Sequence, residues 1–247
     1  MEIGPDRATV HYAKLTLESA CSVVDLLVAV QDVVTILKKL LLEHQILPKH
    51  IEYNNISIRN DNGVQGVVID LDFPDLIEAS RSTEEFGLCG TLAFQSLNRL
   101  GSRFSSDKQH TIQDSLESVF YVLCWACYGY SHDGRSDKFR PNWMGRWTER
   151  HSVESIYSEK RSFRSSEIPS HVNRYMGCQR DILESVIEKI RRKIERQLPN
   201  EKACDAILDI LTKGIEEARE ERCGMAAECS KAMRSANGAS SSKKEVA

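Results

Sequence analysis

Apolar residues recur at helical spacing in four stretches of the chain, which are residues 23–44, 115–128, 171–197 and 201–222. In the first stretch they return every three or four positions, and Ser22 supplies a suitable N-cap with Asp25 three residues later. The second stretch is apolar on nearly all faces, which predicts a buried central helix. Pro199 separates the last two stretches, which are amphipathic. The pattern predicts a mainly helical fold.

Two short runs favour strands over helices. Residues 56–58 and 67–69 are rich in β-branched side chains, and the turn-forming residues 59–63 lie between them. This order predicts a β-hairpin. Residues 8–17 alternate in polarity, which predicts a short strand or extended segment, and residues 71–90 are polar and irregular, which indicates an exposed loop. The expected fold class is therefore mainly α, of the α+β type, with one small hairpin.

The composition limits the compartment and the partners. The 247 residues are 41% hydrophobic, enough for a sizeable core, and 33 basic against 36 acidic residues give a net charge of −3. This balance argues against strong attraction to nucleic acid or to an anionic membrane surface. The apolar runs are too short or too charged to span a bilayer, and residues 1–7 lack the order of a secretion signal. We expect an intracellular protein of the cytoplasm or nucleus.

Eight cysteines in a chain without a secretion signal predict reduced thiols that are mostly buried. Cys124 and Cys127 form a Cys-x-x-Cys pair inside the apolar stretch 115–128. No second Cys or His pair stands at zinc-finger spacing, and the pair does not open a helix after a strand as a redox motif does. We interpret both cysteines as core residues.

Four segments together carry a resemblance to a known family. They are residues 46–58, which include Asn54-Asn55-Ile56; residues 68–72, Val68-Ile69-Asp70-Leu71-Asp72; residues 90–94, Gly90-Thr91-Leu92-Ala93-Phe94; and residues 114–123, which begin Asp114-Ser115-Leu116-Glu117-Ser118. In this order they resemble the catalytic loop, the metal-binding loop, the start of the substrate-side loop and the central helix of the fungal-type protein kinases. Trp147, Lys160 and Phe163 are spaced similarly to a Trp, a Lys and a Phe of that family.

The resemblance implies a domain organisation. Residues 8–200 would form a kinase-like large lobe, or C-lobe, in which the likeness is clearest over residues 9–165. A C-terminal helix over residues 201–234 and a disordered, Ser/Ala/Lys-rich tail over residues 235–247 would follow. We expect the β-rich N-lobe of a kinase to be missing, because the sequence contains no Gly-x-Gly-x-x-Gly and no Val-Ala-Ile-Lys and its hinge-like segment starts almost at Met1. An apolar upper face would then be exposed.

The resemblance also implies site residues. The kinase pattern is His-Arg-Asp, four residues and Asn, and the corresponding residues here are Pro48-Lys49-His50, four residues and Asn55. His50 therefore stands where the catalytic aspartate belongs, and no catalytic residue is expected. Asn55 and Asp70 match the two magnesium ligands and are expected to be remnants of that site. A neutral imidazole can accept a proton, so the change at His50 alone does not forbid chemistry.

Three further positions depart from the family pattern. Pro48 replaces the histidine that supports the catalytic loop, and Ser115 replaces the central-helix aspartate that contacts this support. Asn98 replaces a glutamate that pairs with an arginine of the lower lobe. Loss of the base together with both ends of the supporting contact argues that catalysis is no longer required at this site.

These observations favour a pseudokinase or truncated kinase that acts as a binding or scaffold module for a protein partner, with no cofactor expected. The alternative is an active fungal-type Ser/Thr protein kinase, dependent on ATP and magnesium, whose N-lobe is missing from this gene model. A secreted effector that uses the lobe as a scaffold is disfavoured by the absence of a signal. The oligomeric state is left open.

Other kinds of site find less support. No His-Glu-x-x-His and no Gly-x-Ser-x-Gly occurs, so four of the histidines outside the loop at His50 are expected to serve surface or capping roles. These histidines are His110, His132, His151 and His171. Trp143 and Trp147 would either pack their loop against the lower lobe, which we favour, or form a surface for a partner.

Overall fold

The computed structural model describes residues 15–60, 63–69, 74–76, 91–101, 110–130, 141–148, 151–166, 172, 178–196 and 198–241. Its α-helices are Val23–His44 (α1), Leu97–Gly101 (α2), Ile112–Tyr128 (α3), Asn142–Arg146 (α4), Val153–Ser165 (α5), Cys178–Glu195 (α6) and Asn200–Ser241 (α7). Its strands are Leu15–Thr16 (β1), Ile46–Pro48 (β2), Ile56–Arg59 (β3), Gln65–Val68 (β4) and Pro74–Leu76 (β5). The fold is mainly helical, as the sequence predicts.

Helix α1 begins and ends where the sequence pattern places it. The Ser22 hydroxyl accepts a hydrogen bond from the Asp25 backbone N–H at 3.2 Å, which confirms the predicted N-cap. At the other end Gln45 adopts a left-handed backbone conformation with φ of 54°. Its N–H donates to the Leu41 carbonyl at 3.2 Å and so satisfies a terminal carbonyl of the helix. Helix α1 therefore leads directly into β2.

The strands form two small sheets beside α1. Strands β3 and β4 pair antiparallel with Ile56 opposite Val68, which confirms the predicted hairpin, and β1 pairs with the other edge of β3. Strand β2 pairs antiparallel with β5, with Leu47 opposite Asp75. Strand β5 lies within the stretch 71–90 that we expected to be an exposed loop. That expectation is wrong for residues 74–76, because their backbone pairs with β2.

Gly66 lets the hairpin approach α1 closely. A Cβ atom built at Gly66 would lie 2.0 Å from the Ala29 carbonyl oxygen, so no larger residue fits against the helix backbone. The Gly66 N–H also donates to the Asp32 carboxylate at 2.9 Å. The hairpin that follows the predicted catalytic loop is thus fixed by contact with α1.

Helix α3 is the buried central helix that its sequence predicts. Fifteen of its residues are buried, including the large side chains of Phe120 and Tyr121. It begins at Ile112, earlier than the predicted residue 115, because Thr111 and Asp114 form a capping box. The Thr111 N–H donates to the Asp114 carboxylate at 2.7 Å. The polar first turn of α3 therefore belongs to the helix and is buried with it.

An aromatic cluster joins α3, α4 and α5. Trp147 is fully buried, and its ring lies 4.5 Å from Trp143, 5.0 Å from Phe163 and 5.0 Å from Tyr121 between centroids. The two tryptophans therefore pack within the lobe, which confirms the packing interpretation. Helix α5 carries Phe163 and was not predicted, because its mean hydropathy is low and its apolar stripe is narrow.

Lys160 of α5 is fully buried beneath the same cluster. Its ammonium group donates to the Gln95 carbonyl at 2.6 Å and to the Leu92 carbonyl at 3.2 Å, and it lies 3.9 Å from the centroid of the Tyr121 ring. Burial lowers the pKa of Lys160, and the nearby Glu117 acts in the opposite direction. Lys160 thereby holds the segment after Thr91 against α5.

Helices α6 and α7 complete the core against α1 and α3. Helix α6 falls within the predicted stretch 171–197, and residues 173–177 lie outside the described part of the chain. Helix α7 begins at Asn200, close to the predicted start, but it continues to Ser241 and so enters the segment 235–247 that we expected to be disordered. The extension over residues 235–241 contains no proline, the residue that ends a helix most strongly.

The described surface does not show the expected apolar upper face. Leu42 is the exposed large hydrophobic residue of the described part of the chain. Val24 and Val28 of α1 and Val64 and Val68 of the hairpin are partly buried against the core, because the hairpin and α1 cover one another. Within the described ranges, no helix is long and apolar enough to cross a membrane.

The cysteines of the described core are reduced. Cys124, Cys127 and Cys204 are buried free thiols, which confirms the interpretation of the Cys-x-x-Cys pair as core residues. Burial raises the pKa of Cys124 and raises that of Cys204 to about 11. Both thiols are therefore protonated at neutral pH and are weak nucleophiles.

The end of β2 is anchored to the first turn of α3. The Ser115 hydroxyl donates to the Pro48 carbonyl at 2.8 Å, and His110 Nε2 lies 3.2 Å from the same oxygen. Because a carbonyl only accepts, the neutral His110 ring carries its proton on Nε2. Burial lowers the pKa of His110 to about 4, with Asp114 opposing this shift and Arg99 adding to it. His110 is thus a structural residue of the interior and not the surface or capping residue that we expected.

Replacing Gly66 tests the close approach of the hairpin to α1. We expect Gly66→Ala to lower the free energy of unfolding by about 1–3 kcal/mol, because the added methyl group would overlap the Ala29 backbone. Gly145→Ala on α4 is the matched control, since a Cβ there meets no atom within 4 Å, and it should leave stability unchanged or raise it by up to about 1 kcal/mol. Urea unfolding measures both. If the two variants were equally stable, the close approach of β4 to α1 at Gly66 would be contradicted.

The buried His110 predicts a specific pH dependence of stability. The pKa of His110 is about 4 in the fold against an ordinary 6.5, so the unfolded chain binds the extra proton first as the pH falls. The free energy of unfolding therefore has its full value above pH 6.5, and it falls by up to about 3 kcal/mol between pH 6.5 and about 4. We expect His110→Gln to flatten this part of the stability profile, measured by urea unfolding at each pH.

The exposed His151 provides the control for that experiment. His151→Gln should leave the pH profile unchanged, because folding does not bury the side chain of His151. A profile that is equally steep in native protein and in His110→Gln would contradict the burial of a neutral His110.

Candidate functional site

The predicted catalytic loop runs from the end of β2 to the start of β3. Its middle forms a short 3-10 turn, Tyr53–Asn55, which is closed by a hydrogen bond from the Asn55 N–H to the Glu52 carbonyl at 3.0 Å. The Ile69 N–H then donates to the Asn55 carbonyl at 2.8 Å. The loop is therefore held from both sides, by α3 at Pro48 and by the segment after β4 at Asn55.

Asn55 is oriented so that one atom remains for a cation. Its side chain is 5% exposed, and its Nδ2 donates to the His50 carbonyl at 3.4 Å. Because the amide nitrogen is committed in this way, Oδ1 is the atom that can bind a hard cation such as magnesium. Asp70, the second predicted ligand, lies outside the described residues. Among the residues that the structure describes, no group of three His, Cys, Asp or Glu side chains could hold a metal ion.

His50 lies beside a carboxylate that the sequence analysis did not consider. His50 Nε2 is 2.9 Å from Glu52 Oε2, although the ring N–H does not point along the line of a good hydrogen bond. The same Glu52 oxygen accepts a hydrogen bond from the Thr91 hydroxyl at 2.5 Å. One carboxylate oxygen therefore contacts both the residue at the catalytic position and the start of the substrate-side segment.

Glu52 is a carboxylate in this environment. Burial opposes its ionisation, but the hydrogen bonds from Thr91 and the nearby His50 ring outweigh that effect and hold the pKa of Glu52 below its ordinary value. The arrangement orients His50 and ties Thr91 to the loop, and it leaves Nδ1 as the ring nitrogen without a contact to Glu52.

The expected loss of the loop support is not what the structure shows. Pro48 and Ser115 both differ from the family pattern, yet the Ser115 hydroxyl and the Pro48 carbonyl are joined by a hydrogen bond. Asn98, at the position of the family glutamate, donates from Nδ2 to the Asp114 carboxylate at 3.1 Å. Each replacement finds a new partner of suitable polarity. The backbone of the loop is thus supported, while the side chain at the base position has changed.

Sequence reasoning missed Glu52 because its partner Thr91 is distant in the chain. The sequence did offer one indication, because Glu52 is a charged residue two positions after His50 in the predicted catalytic loop. Of the other histidines, His151 is exposed, and His132 and His171 lie outside the described residues. The site that the structure assembles consists of His50, Glu52, Asn55 and Thr91.

Comparisons with known proteins agree on the fold. Residues 8–127 match the family model described as fungal protein kinase. Among solved structures, the fold is similar to that of vaccinia related kinase 3, with a TM-score of 0.52 and 17% sequence identity. The alignment covers 83% of this chain and 61% of that chain. No curated protein matches the sequence.

At 17% identity the structural likeness shows a shared kinase-like fold and nothing about activity. The family match covers the catalytic-loop segment, the hairpin and nearly all of α3, which are the segments that carry the sequence resemblance. Residues 8–127 are therefore similar to the fungal protein kinases in sequence, and the chain has a kinase-like fold.

Proposed function

We propose that this chain is a kinase-like binding or scaffold module for a protein partner, and that it does not transfer phosphate. The observation that supports the proposal is the contact between His50 and Glu52 at the catalytic position. A phosphotransferase needs a base there that accepts the proton of the attacking hydroxyl. Glu52 Oε2 lies against His50 Nε2, so one side of the imidazole at the predicted catalytic position contacts a carboxylate of the same loop, and the sequence contains no Gly-rich loop and no Val-Ala-Ile-Lys to hold the phosphates.

The ordered loop around this position supports a binding role. The first turn of α3 anchors Pro48, and Glu52 anchors Thr91. These hydrogen bonds from buried polar groups hold the two segments in one conformation. The chain therefore keeps a defined surface at the former active site, although the chemistry of that surface has changed.

An active fungal-type Ser/Thr protein kinase is the second candidate, favoured by the orientation of Asn55. With Nδ2 bound to the His50 carbonyl, Oδ1 of Asn55 fits a magnesium ligand, and magnesium would neutralise charge on the phosphates of ATP. A neutral His50 would then have to act as the base. An in-frame Gly-rich loop and an Ala-x-Lys strand encoded upstream of Met1 would favour this candidate.

The first test is nucleotide binding by the purified 247-residue chain. We expect no magnesium-dependent change of Tm with ATP, because the sequence contains no Gly-rich loop and no Val-Ala-Ile-Lys to hold the phosphates. A site at about a hundredfold excess of ligand over its Kd would raise Tm by about 5–10 °C. An increase of this size in native protein that disappears in Asn55→Ala would favour the kinase candidate over our proposal.

The second test restores the family residue at the catalytic position. We expect His50→Asp to transfer no γ-phosphate to itself or to general protein acceptors, because the new carboxylate would lie beside Glu52 and no phosphate-holding motif is present in the sequence. The double variant His50→Asp/Glu52→Gln removes the neighbouring charge and should be inactive as well. Radiolabelled ATP measures the transfer.

Transfer by either variant would show that the side chain at position 50 is the limiting defect. Transfer by the double variant alone would identify Glu52 as the inhibiting group. Transfer by the native chain would refute the proposed function outright.

A further inference from the structure

A second concave site lies away from the loop at His50. It is an open cavity of about 880 Å³ between α2, the first turns of α3, the end of α5, the end of α6 and the start of α7. This volume is within the range of ligand-binding clefts. None of the residues of the catalytic-loop site lines the cavity. It therefore needs an explanation of its own.

The carboxylates of the cavity wall already have partners. Asp114 accepts hydrogen bonds from the Ser96 hydroxyl, the Asn98 amide and Thr111. Glu117 accepts from the Leu97 N–H at 3.0 Å, from the Tyr121 hydroxyl at 2.6 Å and from Arg164 at 3.2 Å. Glu195 pairs with Arg191 at 3.0 Å. The carboxylates of the wall are therefore hydrogen-bonded or ion-paired within the protein itself.

The Arg161 guanidinium is different. It lines the cavity from α5, one turn before Arg164, and it is exposed. Among the described residues no carboxylate pairs with it. Its planar fork of N–H donors matches a carboxylate in a bidentate geometry. Leu97, Ile194 and Leu198 add apolar surface beside this cation.

We propose that this cavity binds an acidic peptide segment of a partner protein, with a glutamate or aspartate side chain on Arg161. The inference rests on the proposed binding function and names the chemistry of the partner. A carboxylate suits the site better than a phosphate group. The three carboxylates of the wall would repel a dianion more strongly than a single negative charge. The apolar part of the wall takes the neighbouring side chains of the peptide.

Fluorescence anisotropy with a labelled Ala-Glu-Leu-Glu-Ala peptide tests the proposal on the full chain. We expect binding that weakens at high salt, and that is at least about tenfold weaker for Ala-Gln-Leu-Gln-Ala, because the bond to a charged acceptor is lost. Arg161→Glu should also weaken binding of the acidic peptide at least about tenfold. Arg219→Glu, the same change at an exposed position of α7 outside the cavity, should alter it less than about twofold.

Each other outcome overturns the inference. No binding of the acidic peptide, or equal binding of the glutamine peptide, would refute the acidic partner. If Arg161→Glu and Arg219→Glu weakened peptide binding equally, the acidic peptide would be attracted to basic residues in general and not bound at this cavity. Phosphate transfer by the native chain would refute the proposed function alone. Failure of peptide binding in a chain that transfers no phosphate would refute this inference alone.

Discussion

The first turn of α3 is the structural element on which the candidate site depends. Asp114, Ser115 and Glu117 are all buried at this end of the helix. Ser115 is hydrogen-bonded to Pro48, and Asp114 and Glu117 are both hydrogen-bonded to residues 96–98. Burying a polar side chain is costly unless it finds partners, and leaving one such group unpaired costs roughly 1–3 kcal/mol. Because the partners come from the loops at Pro48 and at residues 96–98, the burial of this turn fixes both loops on one helix. The positions of the catalytic-loop and substrate-side segments follow from that constraint.

The chemistry of the site follows from where its charges lie. A kinase has a carboxylate at the catalytic position, and here the carboxylate is two residues later, at Glu52. The change moves the negative charge and does not remove it, and Thr91 and His50 both lie against the displaced carboxylate. The same fold therefore supports a hydrogen-bonded cluster in place of an exposed base. An ordered backbone with changed side-chain chemistry is the combination on which the proposed binding role rests.

Local features were predictable from sequence, and long-range polar contacts were not. The period of apolar residues in α1 and the turn before β4 are set by neighbours in the chain, so helix and hairpin agree with the prediction. Ser115 and Pro48 are 67 positions apart, and Thr91 and Glu52 are 39 apart. No local pattern encodes such pairs. His110 resembled a surface residue for the same reason, because its burial depends on how β2 packs against α3.

Helix α3 contributes both to the wall of the cavity beside Arg161 and to the anchoring of the loop at His50, but it does so through different side chains. Asp114 and Glu117 lie in the cavity wall, and Ser115 faces the loop. Coupling between two sites requires an element with two arrangements that both ligands influence. The carboxylates of the wall are already satisfied within the protein, so a ligand held by Arg161 has no reason to displace them. Binding in the cavity should therefore leave the anchoring of Pro48 intact, and the two surfaces should act independently.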